Sequence, residues 1–206
     1  MSAYDPKAVV RDGYDAVSYR YRGDQEDETC RVYIQWLAEL ESRIPDGSSV
    51  LDLGCGCGVP VSQRLALRHD VTGVDISPVQ IERARGNVPS AKFLCADMTR
   101  AEFEADSFDA IVALYSLIHV PVEEQYALLE KVKSWLRPGG CLMATFGSRA
   151  WTGEEENWLG GGATMYWSQA DEATYLQWLA RLGLEVVFKR FVPEGDGGHT
   201  LVLARK

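Results

Sequence analysis

The sequence predicts an α/β fold: a doubly wound, seven-stranded, mostly parallel sheet with helices on both faces, closed by an antiparallel C-terminal hairpin. Three observations carry this reading. Short apolar runs alternate with helical patterns over most of the chain, as βαβ units require. The first run, Val50–Leu53, enters a turn with glycine at 54, 56 and 58, bare enough for the backbone to approach a ligand. The last two runs are joined by Glu194-Gly195-Asp196-Gly197-Gly198, a link too short for a parallel crossover.

Two helices precede the sheet. The second, near Glu28–Arg43, repeats apolar residues at Tyr33, Trp36/Leu37, Leu40 and Ile44, a helical period. Pro45-Asp46-Gly47 turns the chain into a first strand, Ser49–Leu53, and a helix follows from about Val59 to Arg68. The second strand is Asp70–Val74, after which Ser77-Pro78 caps and opens a helix. Strands at Lys92–Cys95 and Phe108–Leu114 come next. An amphipathic helix spans Val122–Leu136, with its apolar stripe at Val122, Tyr126, Leu129, Val132 and Leu136. Pro138-Gly139-Gly140 ends it and leads into a fifth strand, Cys141–Phe146. Ser148–Gln169 has no clear period. A helix at Asp171–Leu182 and strands at Glu185–Val192 and Thr200–Ala204 complete the chain.

A length of 206 residues without a Pro/Ser-rich linker or repeat reads as one domain. Within it, 1–46 form N-terminal helices or a cap, 48–147 a cofactor-binding core, 148–170 a candidate substrate lid, and 171–206 the terminal helix and hairpin. No apolar window has the length of a membrane span, and Met1-Ser2-Ala3-Tyr4-Asp5-Pro6 lacks a secretion pattern, so a cytoplasmic location is expected. A net charge of −9 argues against nucleic acid or an anionic membrane as partner and points to a small molecule. The five cysteines have no framework spacing and no accompanying metal-ligand pattern, so neither disulfides nor a bound metal is expected. Cys95 and Cys141 sit in buried-strand patterns, and His69 reads as a surface residue at a turn.

The second and third strands each run into an acid, Asp75 and Asp97. In a parallel sheet these carboxyl ends lie beside the glycine turn, where such folds bind ligands. A bare turn flanked by two hydrogen-bond-accepting carboxylates suits a nucleoside-bearing cofactor. The ordered set VLDLGCGCG (50–58), VTGVDIS (71–77), FLCADMT (93–99), FDAIVALYSLIHVP (108–121) and LRPGG (136–140) resembles the class I, Rossmann-like S-adenosylmethionine-dependent methyltransferases, in their small stand-alone bacterial form. The resemblance is strongest over Val50–Gly140 and thin over Ser148–Asp171.

That resemblance implies S-adenosyl-L-methionine as cofactor and assigns roles. Asp52, Gly54, Gly56 and Gly58 would hold the amino-acid end. Asp75 would accept the ribose hydroxyls, as its position about 20 residues past the first glycine also suggests. Ile76 and Met98 would cover the adenine, and Asp97 would accept its amino group. Leu114 and Tyr115 would pass the reacting centre, with Tyr14 or Tyr21 capping the cofactor carboxylate. The implied reaction is methyl transfer to an O or N atom of a small metabolite of secondary metabolism, independent of metal.

A hydroxyl or ammonium acceptor needs a general base, and histidine suits neutral pH. His119 follows the fourth strand, where packing is the competing role. His199 follows the hairpin loop at the ligand end. Trp151, Trp158, Tyr166 and Trp167, beside glycines 160–162, supply a candidate acceptor wall or lid. Three rivals stand beside this reading: cyclisation or other non-transfer chemistry on the same fold, nicotinamide-dependent oxidation, and a non-catalytic sensing domain. The second expects GxGxxG, whereas this turn reads GxGxG.

Overall fold

The computed structural model describes residues 4–206; the first three residues of the segment read above as lacking a secretion pattern lie outside it. Among the described residues no helix is long and apolar enough to cross a membrane. The strands are β1 (Ser49–Leu53), β2 (Asp70–Asp75), β3 (Lys92–Cys95), β4 (Phe108–Ala113), β5 (Leu136–Gly147), β6 (Trp151–Trp158), β7 (Ala163–Gln169), β8 (Glu185–Glu194) and β9 (Gly197–Arg205). The helices are α1 (Pro6–Tyr21), α2 (Cys30–Glu41), α3 (Val61–Leu65), α4 (Pro78–Asn87), α5 (Val122–Trp135) and α6 (Glu172–Arg181).

Seven strands form the main sheet in the order β3-β2-β1-β4-β5-β9-β8. Pairs from β3 to β5 are parallel, while β9 runs antiparallel to both β5 and β8. The expected sheet and its closing hairpin are therefore present. Strand order reverses between β1 and β4, and the crevice beyond their carboxyl ends is where open α/β sheets take ligands.

Side chains alternate across the sheet with the strand period of two. Leu51, Ile111, Leu142 and Val202 face α5 and α6, whereas Val50, Val112, Met143 and Leu203 face α2 and α3. This alternation fixes the register, because a one-residue slip would turn each apolar set to the wrong side. Helix starts follow their caps. Ser77 accepts from the Gln80 N–H ahead of Pro78, and Asp171 accepts from the Thr174 N–H.

Several expectations need correction. Residues 148–170, which show no clear period, contain regular structure: β6 and β7 pair as an antiparallel two-stranded sheet with Trp151 opposite Gln169 and Gly153 opposite Trp167. Residues 136–140 do not interrupt the chain before β5 but belong to it. The helix expected over about 59–68 contracts to α3. Cys95 is exposed, because β3 is an edge strand.

His69 is buried, not at the surface. Neither ring nitrogen has a hydrogen-bond partner among the described residues, and Glu41 Oε1 lies 4.0 Å from Nε2. Burial holds His69 below the ordinary histidine range, although nearby Glu41 opposes the shift. Between the ordinary value and this lower one, the unfolded chain binds a proton that the folded chain refuses, so stability falls as pH drops. His69→Phe should therefore shrink the loss of urea-unfolding free energy between about pH 7.5 and about pH 5.5. An unchanged loss would place the acid-sensitive group elsewhere.

Candidate functional site

The site begins where β1 ends. Gly54, Gly56 and Gly58 adopt φ of +75°, +54° and +82°, a left-handed path that side chains disfavour. The Val74 carbonyl accepts from both the Gly54 and Cys55 N–H, at 2.7 and 3.0 Å. Asp75 extends the hold: its two carboxylate oxygens accept from the Gly56 and Ser77 N–H, each at 2.9 Å. Ser116, beyond β4, closes the other side by donating to the Leu53 carbonyl at 2.6 Å.

Three narrow clefts follow this edge of the sheet and share walls. The first adjoins Asp52, Gly54, Gly56, Leu114, Tyr21 and Arg22. The second shares Tyr21, the two glycines and Leu114, and adds Asp75, Tyr14 and Tyr115. The third shares Ile76, Met98 and His119 with the second and reaches Asp97 and Lys7. Expected cofactor residues thus come together almost completely. Gly58 does not line the clefts: a Cβ there would lie 3.1 Å from Val88, just past α4, so its part is to shape the turn.

Burial raises Asp52 to about 7, although the Ser62 hydroxyl donating at 2.6 Å opposes the shift. Burial likewise raises Asp75 to about 6 against its backbone hydrogen bonds. At Asp97 burial also pushes upward, but hydrogen bonds from Lys7 and Thr99 prevail and hold it below the usual carboxylate range. Both acids at the glycine turn therefore sit where a ligand's hydrogen-bond donors would relieve a cost of burial.

Tyr115 has φ of +54°, a left-handed backbone in a bulky residue, and its N–H donates to Thr145 Oγ1 at 2.5 Å. Such strain persists only where its surroundings enforce it and gathers at functional sites. Here it turns the ring between Tyr33 of α2 and His199, whose centroids lie 5.9 and 5.1 Å away.

Beyond the clefts, an aromatic chamber of about 370 Å³ lies among Tyr14, Tyr21, Tyr33, Tyr115, Trp158 and Trp167, with both His119 and His199 at its wall. It shares Trp167, Glu194 and His199 with an outer cavity of about 520 Å³ that Trp151 also lines. Of the four expected wall residues, Trp151, Trp158 and Trp167 line these spaces. The Tyr166 side chain instead packs with Val10 and Val17 of α1, and its carbonyl takes up His119.

The two histidines differ. His119 Nδ1 lies 2.8 Å from the Tyr166 carbonyl and Nε2 2.9 Å from the Tyr14 hydroxyl, so both nitrogens are engaged. Burial pushes its pKa down to about 4. In that neutral ring Nδ1–H donates to Tyr166, and Nε2 accepts from Tyr14. His199 is held differently: Nδ1 lies 2.9 Å from Glu194 Oε2, an ion-pair contact without hydrogen-bond alignment, and the nearby imidazole holds Glu194 below the usual carboxylate range.

Sequence reasoning missed Lys7, Val10 and Arg22, which α1 and its end bring over the clefts, and Ser116. Lys7 Nζ bonds Asp97 and Glu124, each at 2.8 Å. The Arg22 guanidinium lies over the Tyr33 ring at 5.3 Å and faces the first cleft. For Lys7, Val10 and Arg22 the missing information was where α1 lies. Among the described residues, no group of three His, Cys, Asp or Glu side chains converges as a metal site would require.

A family model described as a methyltransferase domain matches residues 50–140. The 27-O-demethylrifamycin SV methyltransferase of Amycolatopsis mediterranei is 38% identical over 125 residues, which are 57% of this chain and 44% of that protein. The chain spans less than half the length of the curated relatives it matches. Among solved structures, the magnesium protoporphyrin IX methyltransferase of Synechocystis PCC 6803, with bound S-adenosylmethionine, superposes with a TM-score of 0.75. It is 20% identical, with 100% of this chain and 99% of that one covered. The cyclase SpnF also gives 0.75, at 21% identity, over 100% and 97%. At these identities the superpositions establish the fold.

The glycines make separable predictions. A Cβ on Gly54 would lie 2.2 Å from Ser116 Cβ, whereas one on Gly56 meets nothing within 4 Å. Gly54→Ala should lower unfolding free energy by about 2–4 kcal/mol, combining overpacking with left-handed strain. Gly56→Ala should cost only about 1–2 kcal/mol, the strain alone. Equal losses in urea melts would contradict this packing.

Proposed function

We propose, from the premise that the chain belongs through its core to the class I S-adenosylmethionine-dependent methyltransferases, that it transfers a methyl group to an oxygen or nitrogen of a small molecule without a metal ion. The observation that carries the reading is a set of adjoining spaces. Three clefts bearing Asp52, Asp75 and Asp97 share wall residues with an aromatic chamber that has His199 at its wall.

The residues present fit this cofactor. The bare turn at Gly54 and Gly56 admits an amino-acid tail, Asp52 suits its ammonium, and Arg22 suits its carboxylate. Asp75 retains lone pairs for ribose hydroxyls, Ile76 and Met98 give apolar cover to a base, and Asp97 can accept from an exocyclic amine. Bound there, S-adenosylmethionine supplies a methyl group on a cationic sulfur. The protein's own contribution is mainly to place the acceptor in line and exclude water, which the chamber's rings accomplish. His199 is the proposed base: the Glu194 carboxylate, 2.9 Å from Nδ1, would stabilise the imidazolium as Nε2 takes the acceptor's proton. His119, with both nitrogens engaged, is proposed to position Tyr14 and the hairpin.

Thermal unfolding tests the cofactor. S-adenosylmethionine at about 100 times its dissociation constant should add about 2.7 kcal/mol, a rise of roughly 5–10 °C for a domain of this size. A rise with NADH instead would overturn the reading.

Calorimetry adds the pH sign. Asp52 and Asp75 must both be ionised to hold the cofactor, so affinity should fall as pH drops below about 7 and more steeply below about 6, by up to about tenfold per unit for each group. Asp75→Asn should bind weakly and lose the steeper part below about 6 while keeping the part that Asp52 contributes.

Because SpnF is named a cyclase, turnover must be read as S-adenosylhomocysteine formed from a panel of hydroxy and amino compounds. With any acceptor found, His199→Gln should lower kcat by about 100-fold or more while leaving cofactor affinity unchanged. Unaltered kcat would remove His199 from the chemistry.

A further inference from the structure

The outer cavity has a shape that the methyl-transfer reading does not require. One wall is a single face of the β6–β7 hairpin: Trp151 and Glu155 on one strand, Trp167 and Gln169 on the other, all at alternate positions. Gly153 lies between them on this face and stands opposite Trp167. A Cβ on Gly153 would meet Trp151 Cζ2 at 2.8 Å, so the missing side chain lets that indole lie down along the strand toward Trp167. Trp151 is nevertheless 50% exposed, a large apolar surface left uncovered at the cavity mouth.

The rest of the lining combines Gly197 and Gly198 with Arg149 and Glu194. A Cβ on Gly197 would lie 3.1 Å from Arg149 Nη2, and Gly198, at φ of +155°, would aim one 2.2 Å from the Val192 carbonyl, a position closed to any side chain. His199 follows at once and lines both this cavity and the aromatic chamber. The space therefore offers an exposed indole surface, a glycine segment flanked by a guanidinium, and an imidazole shared with the chamber.

We propose that the acceptor is a planar, conjugated ring system bearing a hydroxyl group, held flat against the Trp151 indole with the hydroxyl toward His199. This rests on the methyl-transfer reading above. Flat faces stack on indoles, and a puckered saturated ring offers no such face. In the transfer step the ring oxygen forms the new C–O bond as its proton passes to His199 Nε2. The C–S bonding pair stays on sulfur, and the neutral thioether S-adenosylhomocysteine remains.

The test compares 2-naphthol with decahydro-2-naphthol, which has the same carbon count and hydroxyl but no flat face. Each is titrated by calorimetry and by indole fluorescence into protein saturated with S-adenosylhomocysteine. The flat alcohol should bind at least about tenfold tighter and quench indole emission. Trp151→Ala should weaken it about tenfold without changing S-adenosylhomocysteine affinity, and Trp151→Phe should restore most of the loss. Equal affinities for the two alcohols, or Trp151→Ala without effect, would overturn the proposal. So would absent naphthol binding in protein that holds S-adenosylhomocysteine normally, and that result leaves the methyl-transfer reading intact. Failure to bind S-adenosylhomocysteine at all would instead overturn that reading, and the acceptor role with it.

Discussion

The arrangement depends on how β2 holds the end of β1. One carbonyl, Val74, accepts from two successive N–H groups of the turn, and the next residue, Asp75, takes a third with its side chain. Three donors of an otherwise open loop are thereby satisfied by the neighbouring strand. The turn then has a fixed path that only glycine follows easily. Because the same carboxylate faces the second cleft, the group that shapes the loop is also the group a ligand would meet. Structure and binding are coupled through a single side chain.

The roof over this edge is assembled from distant segments by polar nodes. His119 joins the Tyr14 hydroxyl of α1 to the Tyr166 carbonyl of β7. Gln125 works similarly beneath the hairpin: its amide nitrogen lies 2.7–2.9 Å from the carbonyls of Leu117, Val120 and Ser168, and its oxygen accepts from Tyr175. Gly13 lets α1 approach, since a Cβ there would sit 2.7 Å from the Thr164 carbonyl. A buried network whose members are mostly satisfied specifies one arrangement, because each alternative strands a donor or acceptor in apolar surroundings.

These features explain what was legible in advance. The sheet and most of the cleft-lining residues lie on short, regular βα units, where the period of apolar residues and the glycine spacing report backbone geometry locally. Asp75 and Asp97 could be placed for that reason. The hairpin could not. In β6 one face carries Trp151, Gly153 and Glu155 and the other Thr152 and Glu154, which is no apolar alternation; β7 does alternate, with Ala163, Met165 and Trp167 between Thr164, Tyr166 and Ser168, but that run is short and follows three glycines. The hairpin's stability comes from contacts with α1 and the turn at Leu117–His119, far away in the chain. His69 was misplaced for a related reason: a polar residue at a turn reads as exposed, and nothing nearby in sequence reveals that Glu41 and Arg64 enclose it. Lys7 and Arg22 were invisible because their role depends on where α1 lies.

Electrostatics ties these parts to one direction of selectivity. Asp52 and Asp75 lie along one crevice, both raised by burial, and each keeps unused acceptor capacity. Removing such carboxylates from water costs several kcal/mol per ion unless donors replace the lost hydration. The fold supplies only some of them: Ser62 to Asp52, and two backbone N–H groups to Asp75. A ligand that brings an ammonium and vicinal hydroxyls to these positions completes the shell, while one that brings further anionic charge would worsen it. Arg22, at the opposite side of the first cleft, is the place where one carboxylate can be accepted. On the proposed reading the crevice would discriminate by charge pattern: a ligand's donors at the sheet edge, a single anion beside Arg22, apolar cover from Ile76 and Met98. The acids that make the turn expensive in the free protein would then favour a ligand carrying an ammonium over one carrying several anions.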